Sequence, residues 1–248
     1  MLRMIQKNQR LAEEQKKWKE LRGIAKLQYL WDYYKFPAVI LCICIYIIGS
    51  IIYGHFSHRD TVLYAAFVNV APSSGLTERL SSGFLDEQGL DESKNEFRLY
   101  TGLYLTNDEN NPYHEYTYAS RMKILAAIDG EQLDIVLMDK EAFDAFSQNG
   151  YLCNLEELLS ENDPELYQEL AASLRENTVI LEDNAIDLYF DDSIAYTAET
   201  EEYPMALDLL DFSVIRDSGF TDSVYLGILA NSPRKDTAVR YIRYLFCK

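Results

Sequence analysis

The short motifs of common catalytic sites are missing from this sequence of 248 residues. It has three histidines and four cysteines, and it contains no G-x-S-x-G segment, phosphate-binding P-loop, dinucleotide-binding glycine motif or C-x-x-C pair. His55 and His58 have a spacing that suits a metal, but they follow an apolar segment and are interpreted as interfacial polar residues. We therefore predict a protein that is not an enzyme, with no catalytic residue, no cofactor and no metal site.

Positive charge is also scarce, with 23 Lys and Arg against 40 Asp and Glu. Residues 1–53 hold 9 Lys and Arg and 4 Asp and Glu, a net charge of +5, whereas residues 54–248 hold 14 and 36, a net charge of −22. Nucleic acid is bound by basic surfaces, so the acidic part argues against it as a partner. The uneven division itself is typical of a chain that crosses a compartment boundary.

Residues 36–54, FPAVILCICIYIIGSIIYG, contain no charged side chain. A helix of these 19 residues reaches about 28 Å at about 1.5 Å per residue, enough to cross the hydrocarbon core of a bilayer. Aromatic residues flank it, and Lys and Arg concentrate before it, which places the N-terminus in the cytoplasm. We predict a single-pass protein of the cell membrane, in which a cytoplasmic basic juxtamembrane helix (1–35), a transmembrane helix (36–54) and a linker (55–60) precede an extracytoplasmic domain (61–248).

Other interpretations of the apolar segment fit less well. A cleaved signal peptide has a shorter basic region and a small-residue cleavage site, and a lipoprotein has a small residue before its cysteine, which Cys42 lacks. A buried helix of a soluble protein is rarely apolar on all sides. The preceding helix, with Leu27, Leu30 and Trp31 at helical spacing, lies either on anionic lipid or against a helix of another protein.

The extracytoplasmic part alternates strands and helices. Apolar stretches at Thr61–Val70, Phe97–Leu105 and Leu133–Met138 predict strands, and the stretches that follow each of them have helical spacing. This order, with long crossovers, predicts an α/β fold built on a doubly wound, mainly parallel sheet. Val224–Ala230 is too apolar for an exposed edge and is expected within the sheet.

The remaining elements are less regular in sequence. Thr178–Leu181, Ala185–Phe190 and Ser193–Thr197 predict short strands. The helix after Pro112 is expected to turn four residues toward the core: Tyr118, Met122, Leu125 and Ala126. Cys153 and Cys247 would form a disulfide if they met in space, but we expect two free thiols.

Two stretches resemble the extracellular solute-binding proteins of bacterial ABC importers. Ile128–Leu159, IDGEQLDIVLMDKEAFDAFSQNGYLCNLEELL, has the helix end, Asp-hydrophobic strand, helix and Gly-x-Leu-x-x-Leu segment of that family. Tyr225–Phe246, YLGILANSPRKDTAVRYIRYLF, is similar to its return strand and serine-capped helix. The resemblance implies one lobe of a periplasmic-binding-protein fold, from which the chain leaves for a second lobe and returns. Here only Ser160–Thr221 separates the two stretches, which is too short for a usual second lobe.

In doubly wound sheets, ligands lie beyond the carboxyl ends of the strands. The loops there supply Ser73, Ser74, Asn107 and Asp139 as candidate ligand-binding residues. For Asp139, a plain helix cap is the stronger interpretation.

We interpret the protein as a membrane-anchored, extracytoplasmic binding or interaction module that resembles a reduced solute-binding protein. Its expected partners are the lipid bilayer and a protein of the same envelope. Two alternatives stay open: a solute receptor that feeds an ABC importer, and a structural or assembly subunit of a membrane complex. An exposed apolar patch at the sheet edge would favour assembly, and a deep cleft at the strand ends would favour a small solute.

The predicted topology can be tested by labelling a cysteine placed at Asp108 in intact cells. Because the basic segment precedes residue 36, we expect residue 108 outside the membrane and accessible to an impermeant thiol reagent. A site that stays protected until the membrane is lysed would reverse the predicted orientation.

Overall fold

The chain divides into two units, Met1–His58 and Arg59–Lys248. This computed structural model describes residues 31, 36–37, 39–50, 59–108, 111–190, 193–216, 218, 220 and 222–246. In the first unit, residues 39–50 are helical and exposed. Among the described residues, no helix combines the length and apolar character needed to cross a membrane. The predicted span 36–54 lies partly outside the described residues, as do most of the juxtamembrane helix and the linker, so these assignments stay predictions.

The described part of the second unit forms six strands and nine α-helices, numbered here in chain order. The strands are β1 (Asp60–Val68), β2 (Asn95–Leu103), β3 (Ile135–Met138), β4 (Leu174–Asp183), β5 (Ala198–Asp208) and β6 (Tyr225–Ile228). The helices are α1 (Ser74–Leu80), α2 (Ser82–Glu87), α3 (His114–Asp129), α4 (Lys140–Gln148), α5 (Leu155–Asn162), α6 (Pro164–Leu170), α7 (Ala185–Phe190), α8 (Ser213–Arg216) and α9 (Lys235–Phe246).

All six strands form one sheet in the order β2-β1-β3-β6-β5-β4. Strand β1 is parallel to β2 and β3, which confirms the α/β class and the parallel start of the sheet. The other three pairings are antiparallel, so the sheet is mixed. The antiparallel pairing of β4 with β5 follows from their direct succession in the chain as a hairpin, and β6 runs antiparallel to both of its neighbours, β3 and β5. Strand β6 lies between β3 and β5, inside the sheet, as predicted.

Helices cover both faces of the sheet. On one face, Leu63 and Phe67 of β1 are completely buried in a cluster with residues from α1, α2, α5, α6, α8 and α9. On the other face, Ala66 and Val68 are buried in a cluster with residues from α3 and α4. Neighbouring residues of a strand point to opposite faces, so the apolar run of β1 supplies both clusters. This is the reason that the strand lacks polar alternation in the sequence.

Three local predictions are wrong. Tyr118 and Met122 of α3 are 67% and 47% exposed, and Ile124 and Ile128 are buried instead. The apolar residues of α3 are distributed around the whole circumference of the helix, so their spacing does not specify which face is buried. Residues 185–190 form helix α7 rather than a strand, and residues 193–197 precede β5 rather than forming a strand of their own. The polar start of β5, AETEE, gives no strand signal because glutamate has a low strand preference. It forms a strand nevertheless, because its pairing with β4 overrides that preference.

A buried carboxylate joins the amino end of β3 to the turn before α9. Asp134 is completely buried. Its side chain accepts hydrogen bonds from the Tyr64 amide at 2.8 Å, Ser232 Oγ at 2.6 Å and Arg234 Nε at 2.8 Å. In addition, the Leu229 amide donates to the Asp134 carbonyl at 2.9 Å. A buried charge is tolerated only when it is paired and hydrogen-bonded, and both oxygens of Asp134 meet this condition.

Replacing Asp134 by alanine should destabilise the domain strongly. The Arg234 guanidinium and the Tyr64 amide would lose their acceptor, and breaking such a pair typically costs about 3–5 kcal/mol. Urea denaturation of residues 59–248 measures the free energy of unfolding.

The matched control is Lys140→Ala, which breaks the exposed ion pair between Lys140 and Asp144. Exposed pairs contribute less than about 1 kcal/mol. Equal losses in the two variants would contradict the structural role given to Asp134.

Candidate functional site

The predicted ligand-binding residues follow the carboxyl ends of the parallel strands. Two of them, Ser73 and Asp139, cap helices with their side chains. Ser73 Oγ accepts a hydrogen bond from the Leu76 amide at 3.2 Å and caps α1. Asp139 Oδ1 accepts one from the Ala142 amide at 2.9 Å and caps α4. A side-chain oxygen in this position satisfies an amide that has no partner within the helix. Ser74 is the exposed first residue of α1.

Asn69, which the sequence analysis did not single out, links the ends of all three parallel strands. Its side chain donates to the Leu105 carbonyl and accepts from the Leu105 amide, both at 2.8 Å. It also donates to Asp139 Oδ1 at 3.1 Å. Its φ of 60° is in the left-handed region, which asparagine tolerates better than most residues. The polar groups at the centre of this edge therefore bond to one another.

Asn107 lies beside a pocket of about 300 Å³ between α3 and α4. Glu141 Oε1 accepts hydrogen bonds from Thr106 Oγ1 at 2.8 Å and from the Asn107 amide at 2.9 Å. The lining is partly apolar, from Ile124 and Phe146 among others, and partly polar, and it includes Arg121. Its volume is at the lower end of the range for small-molecule sites. Ser74 lines a separate, shallow depression with Pro72 and Thr101, so the predicted site residues do not form a single site.

Metal-binding residues are not grouped in the described part of the domain. No three His, Cys, Asp or Glu side chains there are close enough to hold a metal ion. Cys153 is a free thiol, and burial raises its pKa to about 11. Cys247 lies outside the described residues, so the predicted state of its thiol is not settled.

The hairpin of β4 and β5 extends beyond the rest of the sheet. Strand β5 pairs with β6 only at Ala206–Asp208, whereas its pairing with β4 continues to Asp183 and Ala198. The base of the hairpin is held by the domain, because Asn177 Nδ2 donates to Asp144 Oδ1 of α4 at 2.8 Å. Helix α7 connects the two strands at the far end.

Large apolar side chains at this far end are exposed. Ile186, Tyr189 and Phe190 of α7 are 75%, 86% and 81% exposed. Leu181 and Tyr196 on the adjoining strand and turn are more than half exposed as well. The sequence pattern of residues 185–190 predicts a strand, so it gives no indication of this exposed apolar surface.

No protein-family model matches the sequence, and no curated protein matches it. The resemblance to solute-binding proteins therefore rests on the two quoted stretches and stays a prediction. In the fold these stretches are neighbours: β3 of the first pairs with β6 of the second, and Asp134 of the first bonds to Ser232 and Arg234 of the second.

The Cys153 thiol should react slowly in the folded protein. Burial raises its pKa from 9.0 to about 11, so the reactive thiolate is depleted at pH 8 by about two orders of magnitude relative to the unfolded chain. Iodoacetamide labelling at pH 8 should therefore be about a hundredfold slower in buffer than in denaturant. The variant for this measurement has Cys42, Cys44 and Cys247 replaced by serine. Equal rates would show that the thiol is accessible and unperturbed.

Proposed function

We propose that this protein is a membrane-anchored interaction module whose extracytoplasmic domain contacts another protein of the bacterial envelope. The charge-free segment 36–54, with basic residues before it, supports the anchor. The main evidence for a contact with another protein is the exposed apolar end of the hairpin of β4 and β5. It presents exposed aromatic residues beyond the edge of the sheet, and exposed apolar surface of this kind is typical of protein interaction sites.

The segment between the two family-like stretches is consistent with this role. A solute-binding protein encloses its ligand between two lobes, and closure supplies much of the buried contact. Here residues 174–208 instead contribute β4 and β5 to the sheet of the first lobe. A single lobe offers a solute contact on one side only, whereas a projecting hairpin offers a partner protein a surface.

A solute receptor is the second candidate, and the pocket beside Asn107 favours it. Arg121 and Glu141 give this pocket one positive and one negative group, which suits a small polar solute. The pocket is small, however, and Glu141 already accepts two hydrogen bonds from the protein. The third candidate, an assembly subunit, shares the exposed hairpin and differs from the proposal only in the permanence of the contact.

A thermal-shift screen of the purified full-length protein against sugars, amino acids, peptides and metal ions distinguishes the first two functions. Since the described residues form a single sheet, without a second lobe to enclose a ligand, we expect no increase of several degrees in the melting temperature with any of them. An increase of several degrees with one solute, retained at high salt, would support a solute receptor and contradict the proposal.

Affinity purification from native membranes at low and high salt is the complementary measurement. The proposal requires an envelope protein that is recovered at low salt and largely lost at high salt, because salt screens the acidic surface. A complex that persists in full at high salt would favour a permanent assembly subunit.

A further inference from the structure

From Glu176 to Pro204, the hairpin and its connection carry charge of one sign only. Residues 176–204 contain nine Asp and Glu and no Lys, Arg or His. Glu199 and Glu201 of β5 and Asp187 of α7 are exposed. We call residues 180–190 and 193–204 the acidic tip. It combines a strong negative charge with the exposed apolar side chains of α7. This combination is more typical of a surface that binds a complementary partner than of a surface that only contacts solvent.

The acidic tip is held in a defined conformation by hydrogen bonds within it. The Asn184 side chain donates to the Ala195 carbonyl at 2.9 Å and accepts from the Thr197 amide at 2.8 Å. Tyr196 Oη donates to Asp183 Oδ2 at 3.2 Å. These bonds hold Asn184, just before α7, against residues 195 and 197, just before β5, so the two described ends of the connection lie together. A preformed surface loses less entropy on binding than a flexible one.

We infer that the acidic tip is the docking surface for a positively charged protein segment that also carries apolar side chains. This inference rests on the proposed function and specifies the surface and the partner chemistry. Carboxylates steer a basic partner toward the tip and reject acidic ones. Aromatic side chains such as Tyr189 and Phe190 then supply the buried contact, as aromatic anchors do at protein interfaces.

Two other occupants fit the charge less well. A bilayer with anionic lipids would repel this segment, because residues 176–204 carry nine carboxylates and no positive charge. A second copy of the chain would bring two like-charged tips together, which is unfavourable. A basic protein segment satisfies both the charge and the apolar side chains.

Site-specific photo-cross-linking in native membranes tests this assignment. The full-length chain carries benzoylphenylalanine at Tyr189 or, as a matched control, at Tyr118 of α3, which is 67% exposed and lies outside the hairpin. We expect a cross-link to another protein from position 189 and not from position 118. Mass spectrometry of the linked peptide should show an excess of Lys and Arg together with apolar residues.

Charge reversal provides a second, independent readout. Replacing Glu199→Lys and Glu201→Lys in the acidic tip should lower the yield of the cross-link from position 189 about tenfold, because the attraction becomes repulsion. The control Glu165→Lys and Glu169→Lys introduces the same charge on exposed residues of α6 and should change the yield less than about twofold. Circular dichroism of each variant verifies that the domain remains folded.

Each other outcome overturns the inference in a recognisable way. Cross-links to lipid only would identify a membrane contact, and cross-links to the same chain would identify self-association. Cross-links from position 118 but not 189 would leave the proposed function in place and reject this surface. If neither position forms a cross-link and no protein co-purifies at low salt, the proposed function fails as well.

Discussion

The buried carboxylate of Asp134 is the interaction on which the arrangement of the domain depends. It bonds to Ser232 and Arg234, which lie 98 and 100 residues further along the chain. These bonds fix the turn before α9 at the amino end of β3, and β6 consequently runs antiparallel beside β3. The strands formed by the chain between β3 and β6 therefore lie on the far side of β6, where β5 pairs with β6 and β4 forms the edge of the sheet.

The domain therefore consists of a hydrogen-bonded core, centred on β1, β2 and β3, and a projecting hairpin of β4 and β5. Asn69 joins the carboxyl ends of β1, β2 and β3 through its side chain, so the polar groups at the centre of the edge that binds ligands in doubly wound sheets bond to one another. The hairpin, in contrast, pairs with β6 over three residues only and leaves its apolar end in solvent. We therefore propose that recognition takes place at the hairpin rather than at the strand ends.

The sequence predicts the buried half of this structure and fails on the exposed half, for physical reasons. Strands β1, β3 and β6 are covered on both faces, so their residues are apolar without interruption and are easily recognised. The start of β5, AETEE, is specified by its pairing with β4, which no local pattern reveals. The partners of Asn69 lie 36 and 70 residues away, so no local pattern reveals them. The cap at Asp139 is predictable because capping is local.

Hydroxyl-radical footprinting of the full-length protein, in intact cells and after purification, tests whether the acidic tip is covered by a partner protein in the envelope. Tyr189 and Phe190 are exposed in the structure, so both should be oxidised readily in the purified protein. If the acidic tip binds a protein in the envelope, both should be shielded in intact cells, while Tyr118, exposed on α3, should be oxidised equally in the two samples. Equal oxidation of Tyr189 and Phe190 in cells and after purification would contradict the account.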